Sequence, residues 1–323
     1  MDITSATLDA LRTEVSLVFK TAYDGTETCY QDLCTEIPSS SKSNTYGWLA
    51  QNVRMREWVG PRVAQNLSEH AYVIANKPFE GTVEVSKFDV EDDNLGIYTA
   101  FNVPQLGEAA RKHPDTLLAA LLFSNPTAFD GKALFATDHP TFAKNPTDPQ
   151  TYSNALELEL TPDNFNAVWS AMSSYRGEDG RPLAIMPNRL IVPPQLKQRA
   201  MQICNSGMAP QIIMNVAKNQ NVAAASADNV LKGWAEPLVF PELSLQPNTW
   251  YLAATTKAIR PFVHQVRTPA KIVARFNPED PKVFDQAVYT FGVERRGNVG
   301  ATLPFLIARS NPGDSAVTLD LAA

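Results

Sequence analysis

The chain has 323 residues, and its 44% hydrophobic and 19% charged content can build a sizeable core, which excludes a disordered tail. The net charge is −6, and Lys and Arg are scattered and never occur three in a row, which excludes a strongly basic surface that binds nucleic-acid phosphates. The longest apolar runs, such as residues 117–123, are too short to span a bilayer, and acids near the start make a poor signal peptide, so we expect a soluble, cytoplasmic protein.

The first predicted element is an amphipathic helix at residues 5–22, with Ser5 as its N-cap and Gly25 after its end. Its apolar stripe consists of Leu8, Leu11, Val15, Val18 and Phe19. A single amphipathic helix at a terminus needs a surface that covers its stripe. We therefore expect this helix to dock, with another subunit as the candidate surface.

Extended segments follow this helix. Residues 39–49 change from polar to aromatic, which is typical of an extended arm. Residues 53–74 alternate in short pieces around Gly60 and Pro61, which predicts two strands joined by a turn. The alternation of Val83 and Val85 with polar neighbours predicts a further strand over residues 80–88.

Four acids lie in the next five positions: Asp89, Glu91, Asp92 and Asp93. They lack the alternating ligands and the central glycine of a calcium loop, which argues against a metal site. Free N–H groups at the start of a helix attract anions. We therefore interpret these acids as the N-terminal end of a helix.

That helix is predicted to start near Asp93 and to reach Ser124, because its apolar residues recur mostly at threes and fours. Pro104 and Pro114 lack the N–H that a helix needs, so we expect them to kink or split it. Asp115 would then lie in the first turn of a new helix, behind a proline at the first helical position.

The second half of the chain mixes both element types. A helix over residues 161–175 is predicted by the cap Thr161, by Pro162 and Asp163 in its first turn, and by its apolar stripe. That stripe consists of Phe165, Val168, Trp169 and Met172. Further predictions are a buried strand at 187–194, a helix at 195–205, short strands near 239 and 250–252, and long strands from 263 to 310.

Motifs for catalysis are absent from the sequence: it has no phosphate-binding glycine loop, no nucleophile elbow and no HExxH. Cys29, Cys34 and Cys204 lack metal-type spacing and indicate free thiols, although Cys29 and Cys34 are close enough to pair across a turn. Asp138 beside His139 leaves a hydrolase as an alternative, without a nucleophile motif to accompany it. We expect no metal, no cofactor and no catalytic residue.

Several stretches resemble the major capsid protein of Mu-like phages, the Mu-like major head subunit. They are SNTYGWL (43–49), REWVGPR (56–62), ANKPFEGTVEVSKFDVEDDNLGIY (75–98), FDGKALFATDHP (129–140), GEDGRPLAIMPNRLIVPPQL (177–196), and RPFVHQVR with AVYTFGVERRGNVG between 260 and 300. The order of the predicted parts resembles that family too, and the resemblance covers essentially the whole chain.

The resemblance implies an α+β fold, the Hong Kong ninety-seven type tailed-phage major capsid fold. Its implied parts are an N-terminal arm (1–48), an extended β-hairpin loop (49–80), a peripheral domain with a long spine helix (81–188 and 286–323), and an axial domain (189–285). The loop would reach over a neighbouring subunit, and the axial domain would surround the five-fold and six-fold centres. Pro104, Gly107 and Pro114 fit poorly into one unbroken spine helix.

The implied function is that of a major capsid protein and not of an enzyme. The chain would assemble with itself into pentamers and hexamers, and these into an icosahedral head that encloses double-stranded DNA without sequence-specific contacts. Because the chain starts at the arm, a scaffolding protein and a maturation protease are expected as separate products, beside a portal. The location would be the virion, assembled in the cytoplasm of the bacterial host, without a membrane partner.

The aromatic residues of the arm and loop are expected to be covered by partner subunits, and the arginines to pair with acids of a neighbour. The predicted inter-subunit contacts are Tyr46, Trp48, Arg54, Arg56, Trp58, Arg62, Tyr72 and Phe79. Two alternatives stay open: a cytoplasmic hydrolase that uses Asp138 and His139, and another phage structural protein, such as a tail or decoration protein.

Overall fold

The computed structural model describes residues 5–49, 69–88, 97–141, 151–177, 182–211, 214–215, 220–221, 225–275, 277 and 279–315. Its helices are α1 Ser5–Gly25, α2 Tyr30–Leu33, α3 Ile97–Ser124, α4 Pro162–Ser173, α5 Lys197–Cys204 and α6 Pro281–Gln286. Its strands are β1 Cys34–Pro38, β2 Ser43–Leu49, β3 Glu69–Ala75, β4 Lys77–Ser86, β5 His139–Pro140, β6 Thr151–Tyr152, β7 Ala155–Leu156, β8 Arg189–Val192, β9 Met208–Gln211, β10 Met214–Asn215, β11 Gln220–Asn221, β12 Ala225–Asp228, β13 Glu236–Val239, β14 Trp250–Ala253, β15 Phe262–Arg275, β16 Val288–Ala301 and β17 Ile307–Ser310.

One sheet contains four described strands in the order β1, β15, β16, β4. The pair β15 and β16 is antiparallel and long, and it runs from Phe262↔Ala301 to Arg275↔Thr290. β4 is antiparallel to β16, whereas β1 is parallel to β15. Buried residues alternate with more exposed ones along most of β16, as the alternation in the sequence predicts.

The first half of α3 and the N-terminal helix α1 pack against this four-stranded sheet. The shared core contains Val15, Phe19, Val85, Val103, Leu106, Ala110, Tyr289, Phe291 and Val293. The predicted docking is therefore observed for Val15, Val18 and Phe19, the members of the stripe whose side chains the structure describes. The expectation of another subunit as its surface is wrong for Val15 and Phe19, which are buried on their own chain.

Gly107 allows α1 and α3 to approach each other closely. A Cβ at this position would lie 2.8 Å from the Phe19 carbonyl oxygen and 3.2 Å from the Tyr23 backbone nitrogen. Real Cβ atoms do not come that close to backbone, so only glycine fits without a shift of one helix. The residue that fits poorly into an isolated helix is required by the contact between two helices.

The other large sheet contains five described strands in the order β13, β8, β14, β17, β7. β14 is antiparallel to both neighbours, and β13 and β7 are parallel to theirs. Helices α4 and α5 pack against it through Phe165, Val168, Met172, Ala200 and Ile203. The predicted cap of α4 is confirmed, because the Asn164 N–H donates to Thr161 Oγ1 at 3.2 Å.

The second half of α3 lies between the two sheets. Leu117, Leu118 and Leu122 are buried in one core with residues of both sheets. Those residues are Ile191, Tyr251, Ala253 and Ile307 from the five-stranded sheet, and Phe262, Val299 and Ala301 from the four-stranded sheet. One helix therefore contributes to the cores of both halves of the molecule.

α3 is continuous through both of its prolines. It extends over Ile97–Ser124 with Pro104 and Pro114 inside, so the expected division of the helix is wrong. Each proline removes one backbone hydrogen bond. Burial of the helix against both sheets offsets that loss, since tertiary packing supplies most of the stability of a helix. The predicted start at Asp93 and the acids at 89–93 lie outside the described residues.

Asp115 lies inside α3 and not in the first turn of a new helix. Its carboxylate accepts the N–H groups of Cys29 at 3.1 Å and of Tyr30 at 2.7 Å, at the start of the short helix α2. Burial raises the pKa of the Asp115 carboxyl, although these two N–H donors act against the increase. Asp115 therefore binds free N–H groups at the start of a helix, as the sequence predicts for this residue. That helix is α2, which lies far from Asp115 in the sequence, and not a new helix that begins at Pro114.

Strand pairing groups the chain differently from the predicted domain ranges. Residues 262–275 lie in the range predicted as axial, but they pair with β16 in the four-stranded sheet. Residues 307–310 lie in a range predicted as peripheral, but they pair with β14 in the five-stranded sheet. The division into arm, loop, peripheral domain and axial domain stays a prediction.

We expect the substitution Gly107→Ala to destabilise the protein by about 1–3 kcal/mol, because the added methyl overpacks the contact between α1 and α3. In an isolated helix alanine is about 1 kcal/mol more favourable than glycine. A loss of stability in Gly107→Ala would therefore come from the clash with α1 and not from helix propensity. Gly25→Ala is the matched control, because a Cβ there meets nothing within 4 Å. Chemical unfolding of the unassembled subunit measures the free energy of unfolding of both variants. Equal values for Gly107→Ala and Gly25→Ala would contradict the close contact between α1 and α3.

Candidate inter-subunit surface

β2 and β3 form a two-stranded antiparallel ribbon, which pairs from Ser43↔Ala75 to Leu49↔Glu69. The segment that joins the two strands lies outside the described residues. At the Ser43–Ala75 end, which we call the ribbon root (residues 39–46 and 72–76), the side chains alternate between two environments. Ile74 is 4% exposed whereas Val73 is 57% exposed. One face of the ribbon root therefore packs on the rest of the chain.

Gln265 of β15 is the centre of the hydrogen bonds that hold the ribbon root. Its side chain is fully buried. Nε2 donates to the Asn76 Oδ1 at 2.7 Å and to the Ile74 carbonyl at 3.2 Å, and Oε1 accepts the Tyr46 hydroxyl at 2.7 Å. One side chain thus contacts both strands of the ribbon, which fixes the direction in which the ribbon leaves the four-stranded sheet.

Asn76 extends this network to the segment before β2. Its Nδ2 donates to Ser39 Oγ at 2.8 Å and to the Ser41 carbonyl at 2.9 Å. On the other side, Asn298 Nδ2 of β16 donates to the Ala75 carbonyl at 2.9 Å. The hydrogen-bonding groups of the ribbon root are therefore satisfied within the chain, as buried polar groups require.

Two glycines of β16 allow close approaches at the ribbon root and at Gln265, which holds it. A Cβ at Gly300 would lie 2.3 Å from Ile74 Cδ1 and 3.3 Å from a ring carbon of Tyr72. A Cβ at Gly297 would lie 2.4 Å from the Gln265 carbonyl oxygen. Gly300 therefore allows the ribbon root to lie directly on the sheet, and Gly297 allows the close approach of the β15 backbone at Gln265.

The predicted contact residues separate into two groups. Tyr46 and Tyr72 pack around Ile74 and Val263, and Phe79 packs on the central core with its ring 4.3 Å from that of His113. These three residues are therefore partly buried on their own chain, and their predicted contacts with a neighbouring subunit stay a prediction. Trp48 lies in β2 opposite His70. Arg54, Arg56, Trp58 and Arg62 lie outside the described residues.

Sequence reasoning misses the residues that hold the ribbon root. Gln265 lies in an alternating strand, where a polar residue indicates an outward position, and nothing nearby in the sequence marks its distant partners. The glycines of GNVG at 297–300 are the one available signal, because a glycine in a strand often marks the close approach of another backbone.

The hydrolase alternative fails on geometry. His139 is fully buried, and its Nδ1 lies 2.6 Å from Asp130 Oδ2 while its Nε2 lies 3.1 Å from Asn154 Oδ1. Asp138 points elsewhere and pairs with Lys132. No ring nitrogen is left for a substrate, so His139 cannot act as a general base.

Asn154 gives His139 its structural role. Asn154 Nδ2 donates to the carbonyls of Leu134 and Pro304 at 2.8 and 3.0 Å, and its Oδ1 also accepts the Ala136 N–H at 2.9 Å. These bonds fix the orientation of the amide and tie the loop after α3 to the turn before β17. The Asp130, His139 and Asn154 group therefore joins segments and carries no chemistry.

The remaining chemical candidates are equally inert in the described part of the chain. Cys29, Cys34 and Cys204 are free thiols, and burial raises the pKa of Cys29 and of Cys204 to about 12, which disfavours the nucleophilic thiolate. Among the described residues, no group of three or more His, Cys, Asp and Glu side chains could hold a metal ion. No described helix is long and apolar enough to cross a membrane.

Basic side chains gather beneath the four-stranded sheet, near α3. Arg295 is 9% exposed, and its Nη2 lies 2.7 Å from Nε2 of the buried His264. Burial and the charge of Arg295 lower the pKa of His264 to about 3 and that of His113 to about 4. Arg111 stands over the ring of Tyr23 at 5.0 Å. Two arginines, Arg111 and Arg295, and two histidines, His113 and His264, therefore lie in this region.

A model of the Mu-like prophage major head subunit gpT family matches residues 8–159, 155–228 and 242–320 of the chain. The "Major capsid protein" of Escherichia phage Mu is 28% identical over 280 residues, which are 64% of this chain and 91% of that protein. The major head subunit of the Mu-like prophage FluMu of Haemophilus influenzae is 27% identical over 277 residues, which are 84% of this chain and 62% of that protein.

Similarity to a solved structure extends over the same range. A subunit of the procapsid of bacteriophage JBD30 superposes with a TM-score of 0.60 at 27% identity, and the match covers 99% of this chain and 78% of that one. The resemblance to the Mu-like family and the predicted α+β capsid fold of the Hong Kong ninety-seven type are thereby confirmed. The family consists of structural head subunits, which are not enzymes.

We expect the stability of the unassembled subunit to fall between about pH 6.5 and pH 4. The unfolded histidines take up protons near pH 6.5, whereas the pKa values of the folded His113 and His264 are about 4 and about 3. The unfolded state therefore binds more protons in this range, so the two histidines contribute stability above pH 6.5 that is lost as the pH falls. Free energies of unfolding across this range test the sign, and His113→Gln should flatten the slope; an unchanged slope would contradict the assignment.

We expect Gln265→Leu to loosen the ribbon root while both cores stay folded. The substitution removes three hydrogen bonds and leaves buried polar partners unsatisfied, which costs about 1–3 kcal/mol. Limited proteolysis should cut between residues 39 and 76 faster than in the wild type. Gln195→Leu is the matched control, since among the described residues that exposed side chain donates only to the Ser244 carbonyl. Equal cleavage of the two variants would show that Gln265 does not hold the ribbon.

Proposed function

The chain belongs to the Mu-like prophage major head subunit gpT family and is a major capsid protein, and from this we propose that its copies form pentamers and hexamers that close an icosahedral shell around double-stranded DNA. The family match over almost the whole length of the chain carries the proposal. A net charge of −6 is compatible with this role, because containment of DNA needs a closed wall rather than tight phosphate binding.

The ribbon is proposed as the loop that reaches over a neighbouring subunit. Its root uses Tyr46 and Tyr72 for packing on its own chain, so the contacts with a neighbour fall to residues further along. Those candidates are Trp48, Arg54, Arg56, Trp58 and Arg62. A root with satisfied hydrogen bonds supports this role, because a fixed direction lowers the entropy lost when the loop binds.

The two sheets support a revised division into domains. The four-stranded sheet, with α1 and the first half of α3, is proposed as the peripheral domain. The five-stranded sheet, with α4 and α5, is proposed as the axial domain around the five-fold and six-fold centres. On this division residues 262–275 are peripheral and residues 307–310 are axial, in line with their strand partners.

Other partners are proposed from the family alone. They are a separate scaffolding protein, a maturation protease and a portal, with assembly in the cytoplasm of the bacterial host. A tail or decoration protein remains the competing role within phage structure, and it differs from a shell protein in the symmetry of its assemblies.

Assembly of the purified protein tests this proposal. The chain is expressed alone and together with a scaffolding protein of a Mu-like phage, and the products are analysed by sedimentation velocity and electron cryo-microscopy. We expect closed shells with icosahedral symmetry that contain pentamers and hexamers. A protein that stays monomeric under both conditions, or that forms tubes or rings of another symmetry, would rule out the shell.

A further inference from the structure

We propose that the cavity between the α2–β1 segment and the loop after β14 binds the carboxylate of an acidic side chain presented by a second copy of this chain. The proposal rests on the proposed assembly function and adds to it a specific contact. The cavity has a volume of about 600 Å³. Its lining residues are Tyr30, Gln31, Cys34, Thr35 and Glu36 from the first segment, Thr255, Thr256, Lys257, Ala258 and Arg260 from the second, and His264 of β15.

His264 lines the cavity, and one of its ring nitrogens is a donor that makes no hydrogen bond within the described residues. His264 Nε2 faces the Arg295 guanidinium, which can only donate, so Nε2 is the acceptor and the ring proton lies on Nδ1. Nδ1 is buried and has no hydrogen-bond partner among the described residues. The nearest acid is Glu36, whose Oε2 is 3.5 Å away on an exposed side chain. The Glu36 carboxylate therefore stands beside this donor at more than hydrogen-bond length, and displacement of its exposed side chain would open Nδ1–H to an acceptor from outside.

The charges around the cavity favour an anion. Arg295 is buried and forms no ion pair with any carboxylate that the structure describes. Through His264 it polarises the Nδ1–H that faces the cavity. Lys257 and Arg260 add positive charge at the walls, whereas Glu36 is the one acid among the lining residues. Because a buried cation without a partner is costly, an incoming carboxylate gains more here than at an open surface.

The rim of the cavity is accessible, and copies of the chain are a source of acids. Gln31, Glu36, Thr256, Lys257 and Ala258 are exposed, so the opening is not closed by the chain's own side chains. The chain has 34 acids against 28 lysines and arginines, which leaves acidic side chains in surplus on every copy. Pairing of that surplus with a cationic cavity is the charge complementarity expected between subunits that assemble side by side.

Two substitutions with opposite expected effects test the contact. Glu36→Gln removes the competing carboxylate at the mouth and should lower the protein concentration needed for assembly by about threefold, whereas Lys257→Gln should raise it by about threefold. Glu294→Gln and Lys271→Gln are the matched controls, because these exposed residues face each other across β15 and β16 and change the net charge equally. Equal shifts in the controls would assign the effect to net charge and overturn the proposal.

A map of the assembled particle from electron cryo-microscopy identifies the occupant. We expect a carboxylate of another copy within hydrogen-bond distance of His264 Nδ1. A cavity that holds solvent, a DNA phosphate or a segment of its own chain would overturn the proposal while leaving the shell intact. If no shells form, the proposed function fails, and titration of the unassembled subunit with acetate decides on the cavity: the His264 ring signals should shift in the wild type and less in Lys257→Gln, and no shift in the wild type would overturn the proposal.

Discussion

The burial of α3 against two sheets is the constraint on which the rest of the structure depends. Leu106 and Ala110 belong to the core of the four-stranded sheet, and Leu118 and Leu122 to the core that both sheets share. A continuous helix transmits position along its length, so the two sheets are held relative to each other by one rigid element. A break at Pro114 would separate these two groups of residues, which explains why the helix continues despite the lost hydrogen bonds.

The ribbon root uses a different kind of interaction. Apolar packing alone leaves the direction of a two-stranded ribbon loosely defined, because dispersion and burial depend little on angle. The hydrogen bonds of Gln265 and Asn76 are directional, and leaving them unmade in a buried site is costly. The buried hydrogen bonds of Gln265 and Asn76 therefore select one direction for the ribbon. A fixed direction suits a segment that is proposed to reach a defined site on a neighbouring subunit.

The sequence predicts the elements well where their causes are local. The cap at Thr161 and the alternation along residues 288–301 depend on neighbours within a few positions, and both are found as expected. Gly107, Asp115 and Gln265 are misjudged or missed because their partners lie more than about 80 residues away in the sequence. For the same reason the sequence indicates no packing partner for Tyr46 and Tyr72 of the ribbon root. The surface on which they pack is formed by strands near the other end of the chain.

Adjacent residues of β15 connect the two surfaces that we propose for contacts between subunits. Successive side chains of a strand point to opposite faces, so His264 and Gln265 serve different sites although they are neighbours in the sequence. His264 lines the cavity opposite Glu36 of β1, whereas Gln265 holds the ribbon root, where Ile37 of β1 also packs. A displacement of these strands at the cavity would therefore move the hydrogen bonds that set the direction of the ribbon. The two proposed inter-subunit contacts are therefore expected to depend on each other, because they are attached to adjacent residues of a single strand.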